Sequence, residues 1–170
     1  MKGPLVTRRA LPAAAAVAAA ALLTLAVGCG SDQQVLTLTQ EPAPVKAVAI
    51  NTDPTGDPGD QFVFEGPVLK DGKAYGVMLG TITKEFAHMK TWHPKSEERL
   101  VTAVFDLPEG QISVLGATSY TPGASEGDFT SETRAVVGGT GTYLNAHGEV
   151  TTTYSKSTKV YTHVITYSTD

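Results

Sequence analysis

From Val45 onward the apolar positions recur with a period near two, and no stretch keeps the 3.6-residue rhythm of an amphipathic helix. This alternation predicts strands over Lys46 to Asn51, Gln61 to Leu69, Ala74 to Phe86, Arg99 to Leu107, Gln111 to Tyr120, Ser131 to Val137, Gly148 to Tyr154 and Val160 to Tyr167. Turn signals separate them: Pro54-Thr55-Gly56-Asp57-Pro58-Gly59, Asp71-Gly72, Pro108-Glu109-Gly110 and Pro122-Gly123. About eight strands joined mostly by short turns suit an all-β, up-and-down antiparallel barrel, whose closure removes exposed sheet edges. The pattern by itself accommodates a two-sheet sandwich as well.

The densest local signal is AVVGGTGTYLNAHGEV, Ala135 to Val150. Gly138, Gly139 and Gly141 follow a β-branched run, and Gly148 precedes another, so the stretch reads as a chain reversal between neighbouring strands. A phosphate cradle fails on detail. No Lys-Ser/Thr pair follows the glycines, Leu144 occupies the third dinucleotide-type glycine position, and the following residues are β-rich rather than helix-forming.

Composition changes the picture at the N-terminus. Met1 to Gly28 carries Lys2, Arg8 and Arg9, then an alanine-rich apolar run, and reads as an export signal, residues 1–28. Leu25-Ala26-Val27-Gly28-Cys29 resembles a bacterial lipobox, with Ala26 where leucine is usual. Cys29, the sole cysteine, is then the acylated mature N-terminus, and no intrachain disulfide can form. Thr7-Arg8-Arg9 is a loose match to twin-arginine export, so Sec and Tat routes both stay open. Residues 29–44 read as a tether holding a domain of residues 45–170 roughly 20 Å from the lipid. Alternation within Val35 to Leu38 allows an extra edge strand instead. Of the 13 basic residues three lie in the leader and none of the 17 acids does, which leaves 10 basic against 17 acidic. An acidic domain without clustered Lys/Arg argues against nucleic acid as a partner.

The GGTG turn followed by an aromatic, a small residue and glycine resembles the signature of the allene oxide cyclase and dirigent barrel superfamily. GDQFVFEGPV at Gly59 to Val68, DGKAYGVMLG at Asp71 to Gly80 and FDLPEGQISVLG at Phe105 to Gly116 extend the match in order and spacing. The resemblance spans about Val45 to Tyr167 and implies a closed eight-stranded barrel with function in its lumen. It further implies that the cyclases hold an apolar epoxide near a first-strand glutamate and asparagine. Asn51 matches the asparagine, whereas Ala49 falls at the glutamate, which argues against allene oxide cyclase activity. Dirigent relatives steer reactive radicals without generating them, and where their signature has arginine this chain has His147. Family members often associate as dimers or trimers.

Candidate ligand-binding residues are Asn51, Glu65, Tyr75, Tyr120, Tyr143 and His163. Asp53 and Glu65 are each either an inward carboxylate or a solvated acid. On the last strand Tyr161, His163, Ile165 and Tyr167 share a face, and whether that face looks inward is open. His147 reads as a hydrogen-bonding turn residue rather than a catalyst. Glu85, His88, His93 and Glu97 straddle a strand end and loop, which suits solvation better than a metal site, and Trp92 is a candidate lid. No nucleophile elbow is present, and neither a metal nor another cofactor is implied. The expected function is an exported barrel, lipid-anchored on the outer face of a bacterial membrane or, alternatively, secreted, that binds or steers a small apolar or aromatic molecule. The alternatives are a cyclase or isomerase acting by confinement, and a filled barrel serving as an envelope interaction module.

Overall fold

Alternation at period two builds nine strands, which the computed structural model shows as one antiparallel sheet. It describes residues 32–50, 58–85, 97–120 and 131–170. In chain order these strands are β1 (Gln34–Gln40), β2 (Val45–Val48), β3 (Gln61–Lys70), β4 (Lys73–Lys84), β5 (Glu97–Leu107), β6 (Gly110–Tyr120), β7 (Ser131–Gly139), β8 (His147–Ser155) and β9 (Val160–Ser168). Each strand from β3 to β9 pairs with the next, and β1 returns to pair with both β9 and β3. The result is the expected closed, all-β barrel of eight staves, with β1 and β2 sharing one stave along the free edge of β3. No α-helix occurs among the described residues, and a single 3₁₀ turn covers Gly141–Tyr143.

The tether expectation is overturned at its centre. Gln34 to Gln40 pairs residue by residue with Tyr167 to Tyr161, so β1 is the closing stave of the barrel and not a linker or a one-sided edge strand. Its composition looked polar because only one face is buried: Leu36, Leu38 and Gln40 point in, while Val35 and Thr37 point out. The domain therefore begins near Gln34 rather than at Val45. The proline pair interrupts the shared stave rather than ending a tether. Pro42 and Pro44 have no N–H to donate to β3, so pairing lapses between Gln40 and Val45.

Turn chemistry closes one end. Asp71 and Gly72 both adopt positive φ, +52° and +74°, as a two-residue turn of this hand requires. The three-glycine reversal joins neighbouring staves β7 and β8, as read from the sequence. Gly138 and Gly139 end β7, and Gly148 lies at the start of β8. Gly141 sits at φ +59° where a Cβ would overlap the Glu109 carbonyl oxygen, so no other residue fits there without moving the β5–β6 turn.

Inside, β1, β3, β5, β6, β8 and β9 contribute Leu38, Val68, Phe105, Ile112, Val114, Val150 and Ile165, all essentially inaccessible to solvent. Each such side chain contributes about 1.5–3 kcal/mol of burial energy. This packed core fills the half of the barrel nearer the short turns. Beneath it Tyr143 and Tyr167 meet edge to face at 5.6 Å, and Tyr75 donates to Glu109 Oε2 at 2.8 Å. These rings stopper that end.

The seam where β1 meets β3 carries one ladder pair, Thr39 with Leu69. A side-chain chain reinforces it. Thr152 Oγ1 donates to His163 Nδ1 (3.0 Å), His163 Nε2 donates to Gln40 Oε1 (3.4 Å), and Gln40 Nε2 donates to the Gly66 carbonyl (3.2 Å). Gly66 makes room for it, since a Cβ there would stand 2.8 Å from both Gln40 Nε2 and Ala43 Cβ. This direction of donation requires a neutral imidazole. Burial, with the Arg134 charge adding to it, pushes His163 down to about 4.

Two outcomes follow. A chain starting at Asp32 should melt cooperatively by circular dichroism, whereas one starting at Val45, lacking β1, should show no cooperative transition. His163 titrates near 6.5 when unfolded, so the stability gained by keeping it neutral is complete above that pH and is lost as pH falls towards 4. Urea denaturation between pH 7 and 4 should show His163→Gln losing about 3 kcal/mol less than the parent over this window.

Candidate functional site

The strand ends opposite the tyrosine stopper carry the long connections, residues 49–60, 85–96 and 121–130, together with the tight β8–β9 turn. Alternation continues from the packed core towards this mouth, but the residue types change. In phase with Phe105, Ala103 and Val101 come Arg99 and Glu97, and in phase with Val136 come Arg134 and Glu132. In phase with Met78 and Gly80 come Ile82 and Lys84. Phe62 and Phe64 on β3, Thr118 and Tyr120 on β6, and Tyr154 and Tyr161 flanking the β8–β9 turn complete the upper wall. All of them are half-buried, in contrast to the sealed residues below.

The charged groups are arranged in two sets. Glu97 bridges Lys84 Nζ (3.1 Å) and Arg99 Nε (2.6 Å). The Arg99 guanidinium lies 3.7 Å from the Tyr120 ring centre and 4.9 Å from that of Phe62, a cation held between two aromatic faces. Deeper, Arg134 pairs with Glu132. Burial pushes the Glu132 carboxyl up and the Arg134 guanidinium down, and each charge partly offsets the shift of the other. The Arg134 chain crosses β6 over Gly116, where a Cβ would stand 2.9 Å from its Cγ. Arg134 Nε and Thr118 Oγ1 are both shut away from solvent with no hydrogen-bond partner. Beyond them lies the clasp of His163, with Tyr161 stacked at 6.5 Å and Tyr154 packed at 4.7 Å on Tyr161.

The residues singled out from the sequence scatter over this frame. His163 is buried on the inner face of β9 between core and mouth, so the Tyr/His face of the last strand looks inward. Tyr120 lines the mouth. Tyr75 and Tyr143 belong to the stopper at the far end, where burial and a hydrogen bond with Tyr75 hold the Tyr143 hydroxyl well above its ordinary range. Glu65 is exposed, on the opposite face of β3 from Phe64, Gly66 and Val68. Asn51, Asp53, His88, Trp92 and His93 lie outside the described residues. Glu85 is exposed, while Glu97 opens β5 as the inward partner of two cations rather than as a loop acid. His147 is exposed at the start of β8, its Nδ1 3.1 Å from the Asn145 carbonyl, as a turn residue. Sequence reasoning passed over Lys84, Arg99, Thr118, Glu132 and Arg134. The signal was present: charged residues in phase with a buried apolar run on one strand.

No family model matches the chain, and no curated protein matches it. Solved structures do. A pyocyanin demethylase superposes with a TM-score of 0.61 at 22% identity, covering 78% of this chain and 99% of the other. An exo-specific intermolecular Diels–Alderase, AbnU, gives 0.59 at 11% identity, with coverages of 79% and 97%. The Diels–Alderase AbmU from Streptomyces koyangensis gives 0.56 at 13% identity, with coverages of 81% and 69%. At these identities the likeness is one of fold: this chain has the barrel architecture of proteins that include cyclases.

Proposed function

We propose that the chain is a ligand-binding barrel that receives a small apolar or aromatic molecule in the upper half of its lumen and steers it without covalent chemistry, as in the dirigent branch of the superfamily its motifs resemble. The observation that carries this reading is the division of one inner face: sealed aliphatics and a tyrosine stopper below, half-buried aromatic rings and ion pairs above. A barrel used only as a packed module has no reason to place Phe62, Phe64, Tyr120, Tyr154 and Tyr161 where solvent still reaches them. Small-molecule chemistry in the structural neighbours supports the reading by analogy. It also supports a second one, in which confinement among these rings accelerates a cyclisation or isomerisation of the bound molecule.

The anchor belongs to the same proposal. With β1 starting at Gln34, only Gly30 to Gln33 separate Cys29 from the barrel, a reach of at most about 17 Å. Because β1 enters at the stoppered end, acylation of Cys29 sets that end towards the membrane and the mouth away from it.

Two measurements test this. The neutral probe N-phenyl-1-naphthylamine should bind the purified chain saturably at one site with enhanced fluorescence, and Thr118→Trp, which fills the upper lumen, should abolish the enhancement while leaving the melting transition cooperative. Absence of saturation, or unchanged binding to a folded Thr118→Trp, contradicts lumen binding. Cells expressing the chain should incorporate labelled palmitate at Cys29 and lose it in Cys29→Ala, and equal labelling of the variant contradicts the anchor.

A further inference from the structure

Two polar atoms face one region of the upper wall with nothing to bind. Arg134 is nine-tenths buried, at 10% side-chain exposure, and one of its two terminal nitrogens, Nη2, pairs with Glu132, yet its Nε–H has no acceptor. Thr118 stands one inward position above Gly116, the residue over which the Arg134 chain lies, and its hydroxyl is equally sealed and unpaired. Leaving a buried donor unsatisfied costs about 1–3 kcal/mol, and more when the donor is charged. Two such costs on neighbouring strands, within two residues of the point where Arg134 packs on Gly116, are the mark of a site completed by something else.

The missing partner must be an acceptor, because Arg134 Nε can only donate and Thr118 Oγ1 can donate as well. The charge of Arg134 narrows it further, since a buried donor on a cationic guanidinium bonds most strongly to an anionic oxygen. The carboxylates already on the upper inner face, Glu97, Glu132 and the buried Asp60, match the cations Lys84, Arg99 and Arg134 in number and leave the Arg134 Nε–H without an acceptor. We infer that the ligand of this barrel is a planar aromatic molecule bearing an anionic oxygen, a carboxylate or phenolate, which accepts from Arg134 Nε and Thr118 Oγ1 while its ring lies among Phe62, Phe64, Tyr154 and Tyr161. This rests on the lumen-binding reading and adds the ligand's charge and the residues that select it. Arg134 and Thr118 are binding residues here, and the neighbouring Glu132 holds the guanidinium in place across the wall.

The experiment compares 2-naphthoate with 2-naphthalenemethanol and 2-naphthylmethylammonium by calorimetry or competition against N-phenyl-1-naphthylamine. Naphthoate should bind at least about tenfold tighter than either, the gain expected of a charge-assisted hydrogen bond. Thr118→Val, which keeps the side-chain shape, should weaken naphthoate several-fold and leave the alcohol unchanged. Arg134→Met combined with Glu132→Gln, which removes the pair without stranding a charge, should erase the preference. If the three probes bind equally, or if Thr118→Val shifts acid and alcohol alike, the inference falls while lumen binding stands. If N-phenyl-1-naphthylamine itself does not bind, the broader reading falls first.

Discussion

The barrel depends on closing an eight-stave sheet across a seam that backbone pairing barely covers. β1 reaches β3 through Thr39 and Leu69 alone, and β2 takes over only after the proline-containing gap. The clasp of Thr152, His163, Gln40 and Gly66 spans this weak point from β8 to β3 by side-chain hydrogen bonds within the lumen. A polar belt in a core is costly unless every member is satisfied, and here each link has a donor and an acceptor. Closure in turn removes the free edges of β1 and β3, which would otherwise template pairing with another chain.

The clasp also marks a boundary. Below it, β1, β3, β5, β6, β7, β8 and β9 each bury aliphatic or aromatic side chains, with the half-buried Met78 of β4 packed against them, and this core provides the stability. Above it, the same alternation delivers charge and half-buried rings, which cost stability unless they serve a bound molecule. On the proposed reading the fold separates stability and ligand binding along one axis, with no change of secondary structure between them. His163 belongs to both regions: its ring packs edge-on against Phe105 of the core at 5.3 Å and looks up towards the charge of Arg134.

Much of the architecture was legible because strand alternation and turn residues are local signals. The Asp71-Gly72 turn, the three-glycine reversal and every strand from β3 to β9 could be read to within a few residues. β1 was not, because a strand with one buried face, flanked by polar residues and a proline pair, carries the composition of a linker. Only its long-range pairing with β9 reveals it. The site was less legible still. Tyr75 and Tyr143 drew attention as aromatics, yet both sit in the stopper, since sequence does not say at which height along a stave a residue lies. Glu132 and Arg134 belong to no motif, and it is their phase with Val136 that turns them inward.

The proposed account is tested most directly by nuclear magnetic resonance of the labelled protein titrated with 2-naphthoate, observing the arginine Nε–H, threonine, histidine and tyrosine side-chain signals. The account predicts large, saturable shifts at Arg134 Nε–H and Thr118, with smaller ones at His163, Tyr154 and Tyr161, and none at Tyr143 or Tyr167. Shifts confined to the tyrosine stopper or to outward residues such as Glu65, or no saturable shifts at all, would contradict it.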